Sequence, residues 1–162
     1  MNFKELHKVY HICPSANQAK GEDVFESNTT TDIVHLDHYR ECTFFVIKLA
    51  GAAGTATATI ESCDDTTPST STAIAFTYRE VTAPNTHGAW TAATSSGVSI
   101  SAGADEIWEF NVKANGLNST DEYVRLVLTE VDSTAVDGAV MCLLTDPRYI
   151  DSDPDTAGSD AD

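Results

Sequence analysis

Residues 106–113 read EIWEFNVK. Trp108, Phe110 and Val112 fall on one side of an extended chain, and Glu109 and Asn111 on the other. A period of two is the mark of a strand with one face buried and one face wet. The pattern continues in both directions. Downstream, YVRLVLTE (123–130) sets Val124, Leu126 and Leu128 inward, and AVMCLLT (139–145) is apolar on both faces. Upstream, AIAFTYREV (73–81) places Ile74, Phe76 and Tyr78 on one face, and VSI (98–100) reads as a brief strand. In TATATIESC (55–63), threonines alternate with Ala56, Ala58 and Ile60, which suits a half-buried strand with the small residues inside. TFFVIKL (43–49) is apolar on both faces, which predicts a central or covered strand. In DIVHLDHY (32–39), Ile33 alternates with His35, and Val34 with Leu36.

Polar loops separate these runs, notably DDTTPSTST (64–72) and the long, mostly irregular TAPNTHGAWTAATSSG (82–97). The reading is an all-β domain of about eight strands, an antiparallel β-sandwich or jelly roll, because a sheet with one apolar face must cover it with another. The domain spans 24–149. Before it, residues 1–23 form an N-terminal arm. Phe3, Leu6, Val9 and Tyr10 have helical spacing, but Pro14 stops any helix, so a short helix or an extended arm is expected. After it, residues 150–162 carry five aspartates and read as a flexible, solvated acidic tail. Two hairpins are expected. One turns at AGAAG (50–54) and would bring Cys42 near Cys63, although free thiols are the expected state. The other joins 123–130 to 139–147 as the closing pair of the sandwich, ended by Pro147, which has no N–H to give.

The 162 residues carry 9 basic against 25 acidic side chains, a net charge of −16. Such a surface repels phosphate, so neither nucleic acid nor an anionic membrane is an expected partner. The start, MNFKELHKVYHICP, lacks the apolar run of a signal peptide, and synthesis in a cytoplasm is expected.

No catalytic constellation emerges. His35-Leu-Asp37-His38 has metal-binding residue types, but histidines three apart on a strand point to opposite faces. His7, His11 and Cys13 are far from a closed ligand set. Asp64, Asp65, Asp105, Asp121 and Glu122 lie in loops without a calcium-loop spacing. There is no nucleophile elbow and no phosphate-binding glycine loop. Cys142, in an apolar run, reads as a packing residue. No enzyme, cofactor or metal is expected. Arg79, Arg125 and Arg148 stand beside apolar runs and read as partners in structural ion pairs, with interface anchoring as the other possibility. Trp90, Trp108 and Tyr78 could stack on sugars. Alternation buries Trp108, which leaves Trp90 as the better platform.

The succession AIAFTYRE (73–80), GAWTAATSSG (88–97), EIWEFNVKANGL (106–117), YVRLVLTEV (123–131) and GAVMCLLTDPRY (138–149) resembles a family of small proteins from tailed bacteriophages and prophages, encoded near the major capsid protein. The resemblance covers roughly residues 31–149. It implies a head decoration, or cement, protein on the capsid exterior, with the major capsid protein as partner and a homotrimer as the favoured oligomer. It carries no catalytic residues. The residues expected to touch the capsid or a neighbouring subunit are Phe3, Leu6, Tyr10, Ile12, Arg148 and Tyr149. The alternatives are a carbohydrate-binding or adhesin-like module, a tail or head-completion protein, and a small hydrolase.

Overall fold

The computed structural model describes residues 7–11 as backbone, and 23–25, 28–49 and 54–148 with their side chains. Two antiparallel sheets pack face to face. Among the described residues the strands, in chain order, are β1 (His7–His11), β2 (Thr29–Thr30), β3 (Val34–His35), β4 (Tyr39–Lys48), β5 (Ala56–Cys63), β6 (Ser71–Ile74) and β7 (Phe76–Ala83). There follow β8 (Thr86–His87), β9 (Thr91–Ala93), β10 (Val98–Ile100), β11 (Ile107–Lys113), β12 (Tyr123–Glu130) and β13 (Gly138–Pro147). The wide sheet runs β1-β13-β4-β11-β7-β8, with β9 also on β7; the narrow sheet runs β10-β5-β12-β2, with β3 also on β12 and β6 also on β5.

The expected count of about eight strands is exceeded because three edges are each lined by two short strands. β2 and β3 share one side of β12, β6 and β10 share one side of β5, and β8 and β9 share one side of β7. The last of these pairs comes from the stretch expected to be irregular. At the N-terminus the helical alternative gives way. His7–His11 is extended and pairs with β13, where an edge satisfies backbone groups that an isolated five-residue helix could not.

Inward residues follow the alternation. Val140, Val46 and Trp108 stand side by side in one row, and Cys142, Phe44 and Phe110 in the next. Opposite them lie Ala58, Ile60, Leu126 and Leu128, all fully buried. Each large side chain buried this way contributes roughly 1.5–3 kcal/mol. Phe76, Tyr78, Trp108 and Phe110 form a run of ring contacts along the inner face of the wide sheet, at centroid separations of 5.9 to 6.3 Å.

Both expected hairpins are instead arches between the sheets. β4 belongs to the wide sheet and β5 to the narrow one, so Cys42 lies opposite Leu144 and Val112, while Cys63 lies opposite Tyr123. β12 and β13 are likewise in different sheets. The cause is the inward faces: Phe44 and Val46 must meet Ala58 and Ile60 across the core, which a flat hairpin would prevent. β13 does end at Pro147 as expected. The sheets are also stitched at their far edge. Only Ala75 separates β6, in the narrow sheet, from β7, in the wide one. The return crossing, from β9 to β10, turns at Gly97 with φ +82°. A side chain there would run into the Ala58 carbonyl oxygen, so glycine is required on both counts.

Candidate functional site

The two outward faces of the sandwich differ in chemistry. On the wide sheet, register places Leu143, Thr43, Asn111 and Thr77 in one row, Met141, Phe45, Glu109 and Arg79 in the next, and Ala139, Ile47, Ile107 and Val81 in the third. Seven of these twelve residues are aliphatic, aromatic or thioether side chains, contiguous across four strands and half-buried rather than sealed. On the narrow sheet the outward rows are Thr57 with Thr129 and Ser99, Thr59 with Val127 and Thr30, and Glu61 with Arg125 and Ala73. That face is predominantly threonine and charge, which water solvates well.

The wide face carries its charge in a closed form. Arg79 and Glu109 sit directly opposite each other on β7 and β11. The Arg79 Nε–H donates to Glu109 Oε2 at 2.8 Å and its Nη2 lies 2.7 Å from the same oxygen. Glu109 is only 8% exposed. On the rim, the Arg79 guanidinium lies 4.6 Å from the centre of the Trp90 ring, and Trp90 is 46% exposed. The narrow face has the same device, with Arg125 Nε donating to Glu61 Oε2 at 2.8 Å and Nη2 donating to Ser71 Oγ at 3.1 Å. The expected structural ion pairs of Arg79 and Arg125 are therefore present. Arg79→Ala should cost about 2 kcal/mol, and Arg125→Ala less, because Glu109 is the more deeply buried carboxylate to be left uncompensated. Urea denaturation of the two variants checks the ranking.

One end of the sandwich holds a polar cluster. Lys48 points inward at the end of β4 and is 1% exposed. Its Nζ donates to the Ser101 carbonyl at 2.6 Å and the Gly54 carbonyl at 3.3 Å. Burial lowers its pKa, and the nearby carboxylates of Glu106, Glu80 and Asp132 oppose that shift. Glu80 is pushed the other way: burial, then the negative charge of Glu106, raises its pKa. The Trp108 indole N–H donates to Glu106 at 3.4 Å, and Ser101 Oγ–H to Glu80 at 3.5 Å. Asp132 accepts from the Thr55 hydroxyl at 2.6 Å and ties the β4–β5 arch to the β12–β13 arch. The cluster closes the end of the core by tying neighbouring loops together.

The pH consequence has a definite sign. The folded state holds a proton on Glu80 above the pH at which the unfolded chain has released it. Stability from this group is therefore complete below the ordinary carboxylate value of 4.5 and is lost as pH rises through the higher folded value. Glu80→Gln should flatten the decline in thermal midpoint over that window. An unchanged profile would show that the residue does not carry it.

The remaining chemical candidates are dispersed. The His35 ring stacks on Tyr123 at 4.4 Å, and its Nε2 lies 3.3 Å from Glu122. His38 Nε2 instead lies 3.6 Å from Asp37. Among the described residues, no three His, Cys, Asp or Glu side chains are grouped to hold a metal ion. Nor, among the described residues, is any helix long and apolar enough to cross a membrane. Trp108 is buried at 5% exposure, as alternation requires. Of the expected contact residues, Phe3, Leu6, Ile12 and Tyr149 lie outside the described residues. Tyr10 falls in β1, opposite Cys142. Arg148 is exposed beside the end of β13, with its backbone N–H donating to the His38 carbonyl at 2.8 Å. The residues of the outward wide face are not among the expected contact residues. Its signal was present in TFFVIKL and AVMCLLT, each apolar on both faces, but not that the two strands are neighbours.

Comparison of the chain with protein-family models, curated proteins and solved structures finds no match.

Proposed function

We propose that this chain is a structural virion protein. In this reading it is a head decoration protein that binds the outside of a tailed-phage capsid through the outward face of its wide sheet and stabilises the expanded shell. The observation that carries the reading is the contrast between the two faces. A protein of net charge −16 presents one broad face whose central charges, Arg79 and Glu109, neutralise each other. Such a face loses little on desolvation and can dock on another protein surface, while the acidic remainder stays in water. The strand order also supports a virion role. The orders of the narrow sheet (β2/β3-β12-β5-β10) and of the wide-sheet segment β4-β11-β7-β8/β9, with β13 and β1 added beyond β4, support a jelly-roll reading of the sandwich. Jelly rolls recur in capsid and lectin domains.

The partner in this reading is the major capsid protein, and a homotrimer fits a three-fold lattice position. No nucleic acid, membrane, cofactor or catalytic step is involved. The protein is made in the host cytoplasm and resides on the capsid exterior. Binding only the expanded shell stabilises it by mass action, and many copies on one lattice turn a modest single contact into a strong one. The test is the copy number in purified particles, by quantitative mass spectrometry against the major capsid protein. A ratio near one to one, or one trimer per three-fold position, is expected, together with shells that burst at lower temperature without it. A handful of copies would move it to the neck or tail. Absence from particles would reject a virion role and turn attention to glycans at Trp90, one face of whose ring is free of Arg79.

A further inference from the structure

Cys42 and Cys142 face each other inside the core. They lie on adjacent strands, β4 and β13, as diagonal neighbours on the same face, since Cys42 pairs with Leu144 and Cys142 with Phe44. Their sulfurs are 3.1 Å apart, and both residues are 0% exposed. A disulfide needs about 2.05 Å between sulfurs, so closure asks for a shift of roughly 1 Å, within the reach of side-chain rotation and slight strand movement. Cys63, the partner that sequence suggested for Cys42, lies in the other sheet.

We propose that Cys42 and Cys142 are a modification site: a dithiol that closes to an internal disulfide in the presence of a low-molecular-weight disulfide such as oxidised glutathione, locking β4 to β13. In the first step, one cysteine thiolate attacks oxidised glutathione, forming a mixed disulfide and releasing one glutathione thiolate. In the second, the other cysteine thiolate attacks the protein sulfur of that mixed disulfide and releases the second glutathione. The two cysteines lose two electrons and two protons, and oxidised glutathione is reduced to two thiols. The folded core excludes glutathione, and burial together with the neighbouring thiol holds the Cys42 pKa well up. The exchange therefore takes place while the chain folds, or while β13 is transiently open, and the native packing then selects this pair. The inference does not depend on what docks on the wide face, although the locked strands are the two that carry Phe45, Met141 and Leu143 on their outer side.

The test refolds the full chain from urea in a glutathione buffer, with oxidised glutathione in one arm and only reduced glutathione in the other. Intact mass and non-reducing peptide maps follow, with thermal melts of both products. The expected result is a mass loss of about 2 Da, a Cys42–Cys142 peptide as the main link, and a midpoint about 10 °C above that of the reduced protein. Cys142→Ser and Cys42→Ser should each lose both the link and the gain, while Cys63→Ser should keep them. Should either core variant fail to fold, the Cys63→Ser protein and the wild-type map still decide the matter. A dominant link through Cys13 or Cys63, or a folded product with no link in the oxidised arm, would overturn the proposal.

Discussion

On the proposed capsid docking, Met141→Asp should weaken binding to expanded shells by at least about 100-fold, or about 2.7 kcal/mol, while leaving the fold intact. Met141 stands opposite Phe45 in the middle row of the wide face, two strands from Glu109. A docked partner would strip water from a new carboxylate that Arg79, already taken by Glu109, does not neutralise. Burying such a charge is costly, and losses at the centre of an interface exceed those at its rim. In the free protein the same side chain points outward, so the melt should move by only a few degrees. Thr129→Asp is the matched control. It adds the same charge to the opposite face, where Thr129 is exposed, and should leave binding unchanged. Co-sedimentation of each variant with stripped shells measures the effect. If the control lost binding and Met141→Asp kept it, the assigned face would be the wrong one.

Lys48→Met should produce the largest loss of stability of any single substitution considered above, about 3 kcal/mol at neutral pH. Hydrogen bonds from a charged donor contribute about 1.5–3 kcal/mol each, and Nζ makes two, to Ser101 and Gly54. The substitution also removes a positive charge that interacts with Glu106, Glu80 and Asp132. Against this stands the hydration that lysine gives up on burial, already visible in its lowered pKa, and methionine recovers part of that cost. The thermal midpoint should fall by roughly 6–12 °C. Lys113→Met is the comparison. Lys113 is exposed and 3.3 Å from Glu41, an arrangement worth little, and its midpoint should barely change. Equal effects of the two would mean that the buried ammonium does not hold the loops together.

Much of the architecture was legible in residue alternation. Trp108, Phe110, Val112, Val124, Leu126 and Leu128 lie inward as read, because a period of two is imposed locally by the pleat. What could not be read was partner choice. Nothing within TFFVIKL or TATATIESC says whether the chain between them turns back in the same sheet or arches over to the other. That depends on which apolar faces must meet across the core. The same gap misplaced the neighbour of Cys42, which is a residue 100 positions away rather than the next strand. It also hid the apolar outer face of the wide sheet. Phe45, Ile47, Met141 and Leu143 each look like surplus apolar residues in their own strand and become a surface only when β4 and β13 are adjacent. Lys48 was unremarkable in sequence, since a lysine ending a strand is normally a solvated one.

The place of β13 between β1 and β4 sets a schedule for assembly. Of the described strands β1 is synthesised first, yet its hydrogen-bonding partner comes last among them, and β4 likewise has one edge open until β13 arrives. No hairpin joins β13 to either neighbour, so every contact that seats it closes a long loop of chain. A nascent chain on the ribosome cannot finish the wide sheet before residues 138–147 emerge, and folding should be slow for a domain of this size. Until then the exposed edge of β4, with Phe44 and Val46 alongside, is open to pairing with other chains. The protein's vulnerability to aggregation is thus concentrated in the interval before β13 is inserted, and a copy truncated ahead of Gly138 would remain in that state.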